Sequence, residues 1–154
     1  MMRSFQLFGP EAGELLSGIQ TLSFQDGGEQ LWSVAEITAL LQNSGTVALV
    51  ILEAIEPVGF LIWRQMADEA EILTIAVLPD YRGKGMGYDL LQEFQDQAIS
   101  CDITKAFLEV REDNMSALRL YEKTGFEVVG RRKDYYGGRN GQKRDALVMK
   151  CIWC

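Results

Sequence analysis

The stretch Leu73–Leu91, LTIAVLPDYRGKGMGYDLL, runs from a strand-like apolar segment through a glycine-rich turn into a helical pattern. Three glycines in five positions, Gly83, Gly85 and Gly87, would weaken either a strand or a helix. Placed between the two, they leave backbone N–H groups exposed at the positive end of a helix, an arrangement suited to an anion such as a phosphate. Two phosphate loops are excluded by spacing. A dinucleotide fingerprint needs G-x-G-x-x-G, and here the pattern is G-x-G-x-G. A nucleoside-triphosphate loop needs Gly-Lys followed by Ser or Thr, and Lys84 is followed by Gly85.

The rest of the chain reads outward from this stretch as one alternating α/β domain over residues 1–154. Upstream, Pro10–Ser23 has helical apolar spacing, and Ser33 caps a second helix, Val34–Gln42. Strands are predicted at Thr46–Leu52, Val58–Arg64 and Ile72–Leu78. Downstream, the glycine loop feeds a helix to about Ala98. A strand at Lys105–Val110, a helix from about Asn114 to Lys123, and strands at Phe126–Arg131 and Ala146–Ile152 complete the chain. No repeat or linker divides it.

Composition narrows the chemistry. The 154 residues are 47% hydrophobic and 24% charged, as in a soluble globular domain large enough to bury a core. No apolar run reaches the roughly 18 residues that span a bilayer, and no basic-then-apolar leader opens the sequence, so a cytoplasmic protein with no membrane partner is expected. A net charge of −7 argues against nucleic-acid binding and for a cationic substrate. Residues 1–80 carry 11 acidic and 2 basic side chains, whereas residues 81–154 carry 11 and 13, so the glycine loop lies in the basic half. The absence of histidine excludes Ser-His-Asp and Cys-His nucleophilic sites and any His-bound metal. Cys101, Cys151 and Cys154 fall short of a closed four-ligand zinc site and are read as reduced thiols, so no metal is expected.

What fits the loop is Arg82-Gly83-Lys84-Gly85-Met86-Gly87, read as Q/R-x-x-G-x-G/A. It resembles the pyrophosphate-binding segment of the GNAT superfamily of N-acetyltransferases, whose acetyl donor is acetyl-coenzyme A. The downstream segment FLEVREDNMSALRLYEKTGFEVVGRRKDYY, the pair Trp32-Ser33 and the pair Asp145-Ala146 are similar to ribosomal-protein-alanine N-acetyltransferases in particular. The resemblance runs from about Phe5 to Ile152. It implies a single domain with a mixed sheet of six to seven strands flanked by about four helices. It also implies transfer of an acetyl group to a primary amine, foremost the α-amine of a protein or peptide N-terminus. A small-molecule amine is the alternative acceptor, and an acyl-coenzyme A-binding domain without turnover is the alternative of another class.

Such a transfer needs a base for the amine, a donor for the carbonyl oxygen and a proton for the departing thiolate. Glu109 interrupts the apolar strand AFLEV, where desolvation raises a carboxylate's pKa towards that of a useful base; a solvated Glu, or one tied to Arg111, is the plainer alternative. Glu71, at the position of the base in histone-acetylating relatives, is its rival and otherwise a substrate-side residue. Glu109 is preferred because Glu71 stands in an acidic cluster with Asp68 and Glu69. Asn114, Leu118 and Tyr121 share one helical face. The resemblance implies that Tyr121 protonates the thiolate and that Asn114 holds the pantetheine arm. It further implies that backbone groups of Ile75, Ala76 and Val77 bind the thioester and pantetheine amides, while Trp32, Tyr135 and Tyr136 form the acceptor wall. Arg139, Lys143 and Arg144 make the following loop basic, with Arg144 where a Glu is usual, which bears on which acceptor is taken.

Overall fold

The structure is a computed structural model describing residues 2–24, 31–137 and 143–153, with the backbone path alone for Tyr135–Gly137. Seven strands form one mixed sheet: β1 (Arg3–Phe8), β2 (Thr46–Glu53), β3 (Glu56–Met66), β4 (Glu69–Val77), β5 (Lys105–Arg111), β6 (Glu127–Gly137) and β7 (Lys143–Ile152). Their order is β1-β2-β3-β4-β5-β7-β6. The β4–β5 pair is parallel and every other pair is antiparallel. Helices α1 (Gly13–Ser23), α2 (Val34–Gln42), α3 (Met86–Ser100) and α4 (Met115–Lys123) pack on the two faces. Among the described residues no helix is long and apolar enough to cross a membrane.

The central strands β2 and β3 are continuous apolar runs because both of their faces are covered. Leu49, Ile51, Leu61 and Trp63 point into one core with Leu90, Leu91 and Phe94 of α3 and Leu118 and Tyr121 of α4. Ala48, Val50, Phe60 and Ile62 point into the other, with Leu16 and Ile19 of α1 and Ile37 and Leu41 of α2. At the start of α2, Ser33 Oγ accepts from the Glu36 N–H at 3.1 Å and the Glu36 carboxylate accepts from the Ser33 N–H at 3.0 Å. This reciprocal cap, with Trp32 and Ile37 in the same apolar cluster on either side of it, fixes how the chain enters the helix.

The larger differences from the sequence reading are in the strands. Residues 3–8, left unassigned, are edge strand β1, registered along β2 from Arg3–Glu53 to Phe8–Ala48. Strand β4 starts at Glu69 instead of Ile72, because Glu69, Ala70 and Glu71 are paired on both sides. Strands β6 and β7 extend to Gly137 and from Lys143, so part of the supposed polar loop is a twisted hairpin.

Strand β4 is irregular in two ways. Trp63 pairs with Ile72 and Ile62 pairs with Thr74, so Leu73 is bulged out of the β3–β4 register. The extra residue reverses the alternation: Ala70 and Ile72 face the α3 side, and so do Ile75 and Val77 beyond the bulge, leaving Ala76 on the α1 side. Strands β4 and β5 are also paired over only three residues, Glu69–Lys105, Ala70–Ala106 and Glu71–Phe107. Beyond Glu71 they part.

The unpaired stretch of β4 is held from the other side by β3. A Cβ on Gly59 would lie 2.8 Å from the Ala76 carbonyl oxygen and 3.2 Å from Ile51 Cγ2. Backbone cannot swing aside as a side chain can. Gly59→Ala should therefore cost about 1–3 kcal/mol, as overpacking does, and lower the urea midpoint. Gly130→Ala, whose Cβ would meet nothing nearer than 3.7 Å, is the control that should leave the midpoint unmoved.

Candidate active site

The parting of β4 and β5 opens two cavities that meet. The larger, about 670 Å³, lies between the end of β4, the glycine loop and the starts of α3 and α4. The smaller, about 370 Å³, is bounded by Trp32, Glu71, Thr74, Glu109, Tyr121 and Arg132. Phe24, Ile75, Asn114 and Ala117 line both.

The larger cavity has the character of an anion site at one end. Gly83 and Gly85 take left-handed φ values of +73° and +83°, which glycine adopts without steric cost. The Asp89 N–H bonds the Gly85 carbonyl at 3.0 Å as the helical ladder of α3 begins, so the N–H groups of Met86, Gly87 and Tyr88 precede any intrahelical partner. The third glycine has a different reason. A Cβ at Gly87 would come within 2.9 Å of Leu120 Cδ2, so Gly87 lets α3 and α4 approach.

The basic residues of the loop hold it in place. Arg82 lines the cavity, donates to the Val77 carbonyl at 3.2 Å and bonds the Ser23 carbonyl at the end of α1. Lys84 lies outside the lining, its ammonium 5.4 Å from the Tyr81 ring centre. Its carbonyl accepts from Arg3 of β1, and Arg3 also pairs with Asp89 at 2.6 Å. Lys123 and Tyr88 line the cavity as well, with the ammonium 5.1 Å over the ring. The sequence reading used Lys123 only as the end of a helix. Nothing local in the sequence marks it, because its place over Tyr88 depends on how α4 packs beside α3.

The smaller cavity gathers the residues singled out for acid–base work. Glu109 and Glu71 both line it. Glu109 is 23% exposed and meets Arg132 of β6 at 3.1 Å, not Arg111, which bonds Asp113. Glu71, in an acidic cluster by sequence, has a basic partner across the sheet. Its Oε1 accepts from Arg64 Nε at 2.9 Å and Nη2 at 2.6 Å, across a directly registered β3–β4 pair. Tyr121 is buried, edge-on to Phe126 with ring centres 6.0 Å apart. Asn114 caps α4, its Oδ1 accepting from the Ala117 N–H at 3.2 Å, and reaches both cavities. Leu118, third on that helical face, is committed to the core.

Ile75 lines both cavities, and Ala76 and Val77 line the larger. The side chains of Tyr135 and Tyr136, together with Arg139, lie outside the described residues. Arg144 donates to Asp113 at 3.1 Å, beside the start of α4. Burial works to raise the Asp113 pKa, but bonds from Arg111 and Arg144 outweigh it and hold the carboxyl below its usual range.

A cleft formed where two parallel strands part, with an αL glycine turn at one end and carboxylates at the other, matches one family of folds. The acetyltransferase (GNAT) family model covers residues 14–126. The chain belongs to the GNAT family. Its relatives include a [Ribosomal protein bS18]-alanine N-acetyltransferase of Haemophilus influenzae, 42% identical over 71% of this chain and 75% of that protein. The Escherichia coli counterpart is 38% identical over 59% of this chain, a match spanning 61% of that protein. In structure, the ribosomal-protein-S18-alanine N-acetyltransferase of Escherichia coli superposes with a TM-score of 0.90 over 99% of this chain and 96% of that one, at 26% identity. Ard1 from Thermoplasma volcanium gives 0.84 over 100% and 99%, also at 26% identity. The GNAT fold expected from the loop and its flanks is therefore the fold observed, and the chain is an N-acetyltransferase.

Near the Arg132 wall, β6 is pinned by Asp145. This carboxylate accepts from Arg131 at 2.6 Å and from the Asp134 N–H at 2.9 Å, where Asp134 takes a φ of +53°. The Arg131 bond first, then the backbone bond, lower its pKa below the ordinary 3.8. A lowered carboxylate pKa contributes stability that is present above the unfolded value and lost as pH falls through the folded one. Asp145→Asn should accordingly melt below the wild type at pH 7, and the gap should close in thermal scans as pH falls below about 3.8.

Proposed function

We propose that this GNAT protein acetylates the free α-amine of a protein N-terminus, with acetyl-coenzyme A as donor substrate. The observation that carries this is the junction of the two cavities at Ile75 and Asn114, with an anion-binding helix end on one side and two carboxylates on the other. Relatives named for alanine N-acetylation of a ribosomal protein, alike over most of the chain, favour a peptide end over a small amine.

The donor fits the residues present. The N–H groups of Met86, Gly87 and Tyr88, which precede the helical ladder of α3, suit its pyrophosphate, with Lys123 beside them. Strand β4 past its pairing with β5 offers N–H groups for the amides of the pantetheine arm and the thioester oxygen, and one fixed donor to such an oxygen is worth about 3 kcal/mol. Glu109, in the smaller cavity, takes the proton from the acceptor ammonium. The neutral nitrogen bonds the acetyl carbon, the carbon–sulfur bond breaks, and the Tyr121 hydroxyl gives a proton to the leaving sulfur. The second proton lost by nitrogen passes to solvent or through Glu109 as Tyr121 is reprotonated. An α-amine, with a pKa near 8, loses its proton far more readily than a lysine near 10.4.

Glu109 serves better than Glu71. The Arg64 fork ties Glu71 into the sheet by two bonds to one oxygen, whereas among the described residues Glu109 has one longer contact, with an Arg132 that is 57% exposed. Glu109→Gln should lower kcat by about 10²–10⁴-fold, the usual scale of acid–base catalysis, while acetyl-coenzyme A affinity is kept. Tyr121→Phe should also slow turnover, and Glu71→Gln much less. Greater damage from Glu71→Gln would move the base to β4. Mass spectrometry of peptides with free N-terminal alanine should place the acetyl group on the α-amine; lysine-only acetylation would refute the acceptor.

The donor site has its own test. Asp and Asn are the residues that best tolerate a left-handed φ after glycine, and no atom lies within 4 Å of a Cβ at Gly83. Gly83→Asp should fold yet lose the stabilisation by acetyl-coenzyme A, about 2.7 kcal/mol at a hundredfold excess over Kd. Gly83→Asn, of equal size without charge, should retain much of it in thermal-shift assays. Equal shifts in both variants would displace the anion from this loop.

A further inference from the structure

Gln20 lies on α1 and is 1% exposed. Its Nε2 donates to the Trp32 carbonyl at 2.8 Å, and the Ser17 hydroxyl, one turn earlier, reaches the same oxygen at 3.4 Å. The other end of the amide is unsupported: Oε1 is buried without a hydrogen-bond partner among the described residues. An orphaned buried carbonyl is a folding liability, and an apolar side chain of the same length would avoid it. What an apolar side chain cannot do is hold the Trp32 carbonyl.

That carbonyl belongs to the acceptor wall. Trp32 lines the cavity that holds Glu71, Glu109 and Tyr121, and it directly precedes the Ser33 cap that starts α2. With its carbonyl gripped on one side and its neighbour capped on the other, Trp32 cannot shift without breaking one of these bonds. We infer that Gln20 is a positioning residue, acting through Trp32 to fix the acceptor side of the site at the expense of its own unsatisfied oxygen. This rests on the reading of the smaller cavity as the acceptor site.

The test is Gln20→Met, which keeps length and volume, removes the donor and removes the orphan acceptor together. Steady-state kinetics with an N-terminal alanine peptide should show acceptor KM raised about 3–10-fold, the scale of one lost hydrogen bond. kcat and the KM for acetyl-coenzyme A should stay within about twofold, and the melting temperature should be unchanged or higher. Ser17→Ala combined with Gln20→Met should raise acceptor KM further. A strut with only a structural role gives another pattern: a lower melting temperature with both KM values moving together, or no change in acceptor KM at all. Either result overturns the inference while wild-type peptide acetylation leaves the proposed function standing. A wild type that acetylates no amine removes both.

Discussion

Strands β4 and β5 are joined by three residue pairs and no more, and the site exists because of that short seam. Each strand is claimed by its outer neighbour: β4 stays with β3 as far as Val77, and β5 stays with β7 as far as Arg111. The Leu73 bulge adds local twist to β4, turning it away from β5. The sheet thus splits into two leaves hinged at Glu71 and Phe107. Backbone groups on the facing edges have lost their ladder partners, and buried backbone groups demand partners. A ligand with amides of its own meets that demand. Helices α3 and α4 follow β4 and β5 directly, so both of their N-termini open on the same gap. The two helix N-termini at the cleft and the unpaired strand edge therefore come from one topological fact.

How much of this was legible in the sequence depends on how local each signal is. The glycine loop, the α2 cap and the Asn114 start of α4 are set within a few residues, and the structure has them where the spacing predicts. Edge strand β1 was not legible. RSFQLF lacks a clean alternation, and Ser4, Gln6 and Leu7 are exposed, so its strand character comes from the register it shares with β2. Its tie to the loop through Arg3 spans more than eighty residues and leaves no local trace. The tie that holds Glu71 was hidden for the same reason. Its acidic neighbours are read from the chain, but its Arg64 partner is found only once β3 is laid antiparallel beside it. The bulge at Leu73 is silent because every residue from Ile72 to Val77 is compatible with either face.

Helix α1 links the two cavities. Its last residue, Ser23, receives Arg82 from the glycine loop, and Phe24 beyond it lines both spaces. Three residues back, Gln20 grips Trp32 on the acceptor side. An α-helix transmits displacement as a rigid rod over a turn this short. The glycine loop and the Trp32 wall of the smaller cavity are thus referenced to the same element.

Electrostatics then decides what enters the smaller cavity. Its lining carries two carboxylates, Glu71 and Glu109, against one guanidinium, Arg132. Such a mouth attracts cations, and at neutral pH an α-amine with a pKa near 8 is mostly ammonium. Under the proposed function the acceptor therefore arrives as the unreactive species, and a group in the cavity has to take its proton. Arg64 consumes one oxygen of Glu71, and the pair adds little to the field. In the reaction proposed above, both tasks fall to Glu109, which is held by the longer Arg132 contact and lies on the strand that leads into Asn114 and Tyr121: it would draw the ammonium close and then accept the proton that makes the nitrogen a nucleophile.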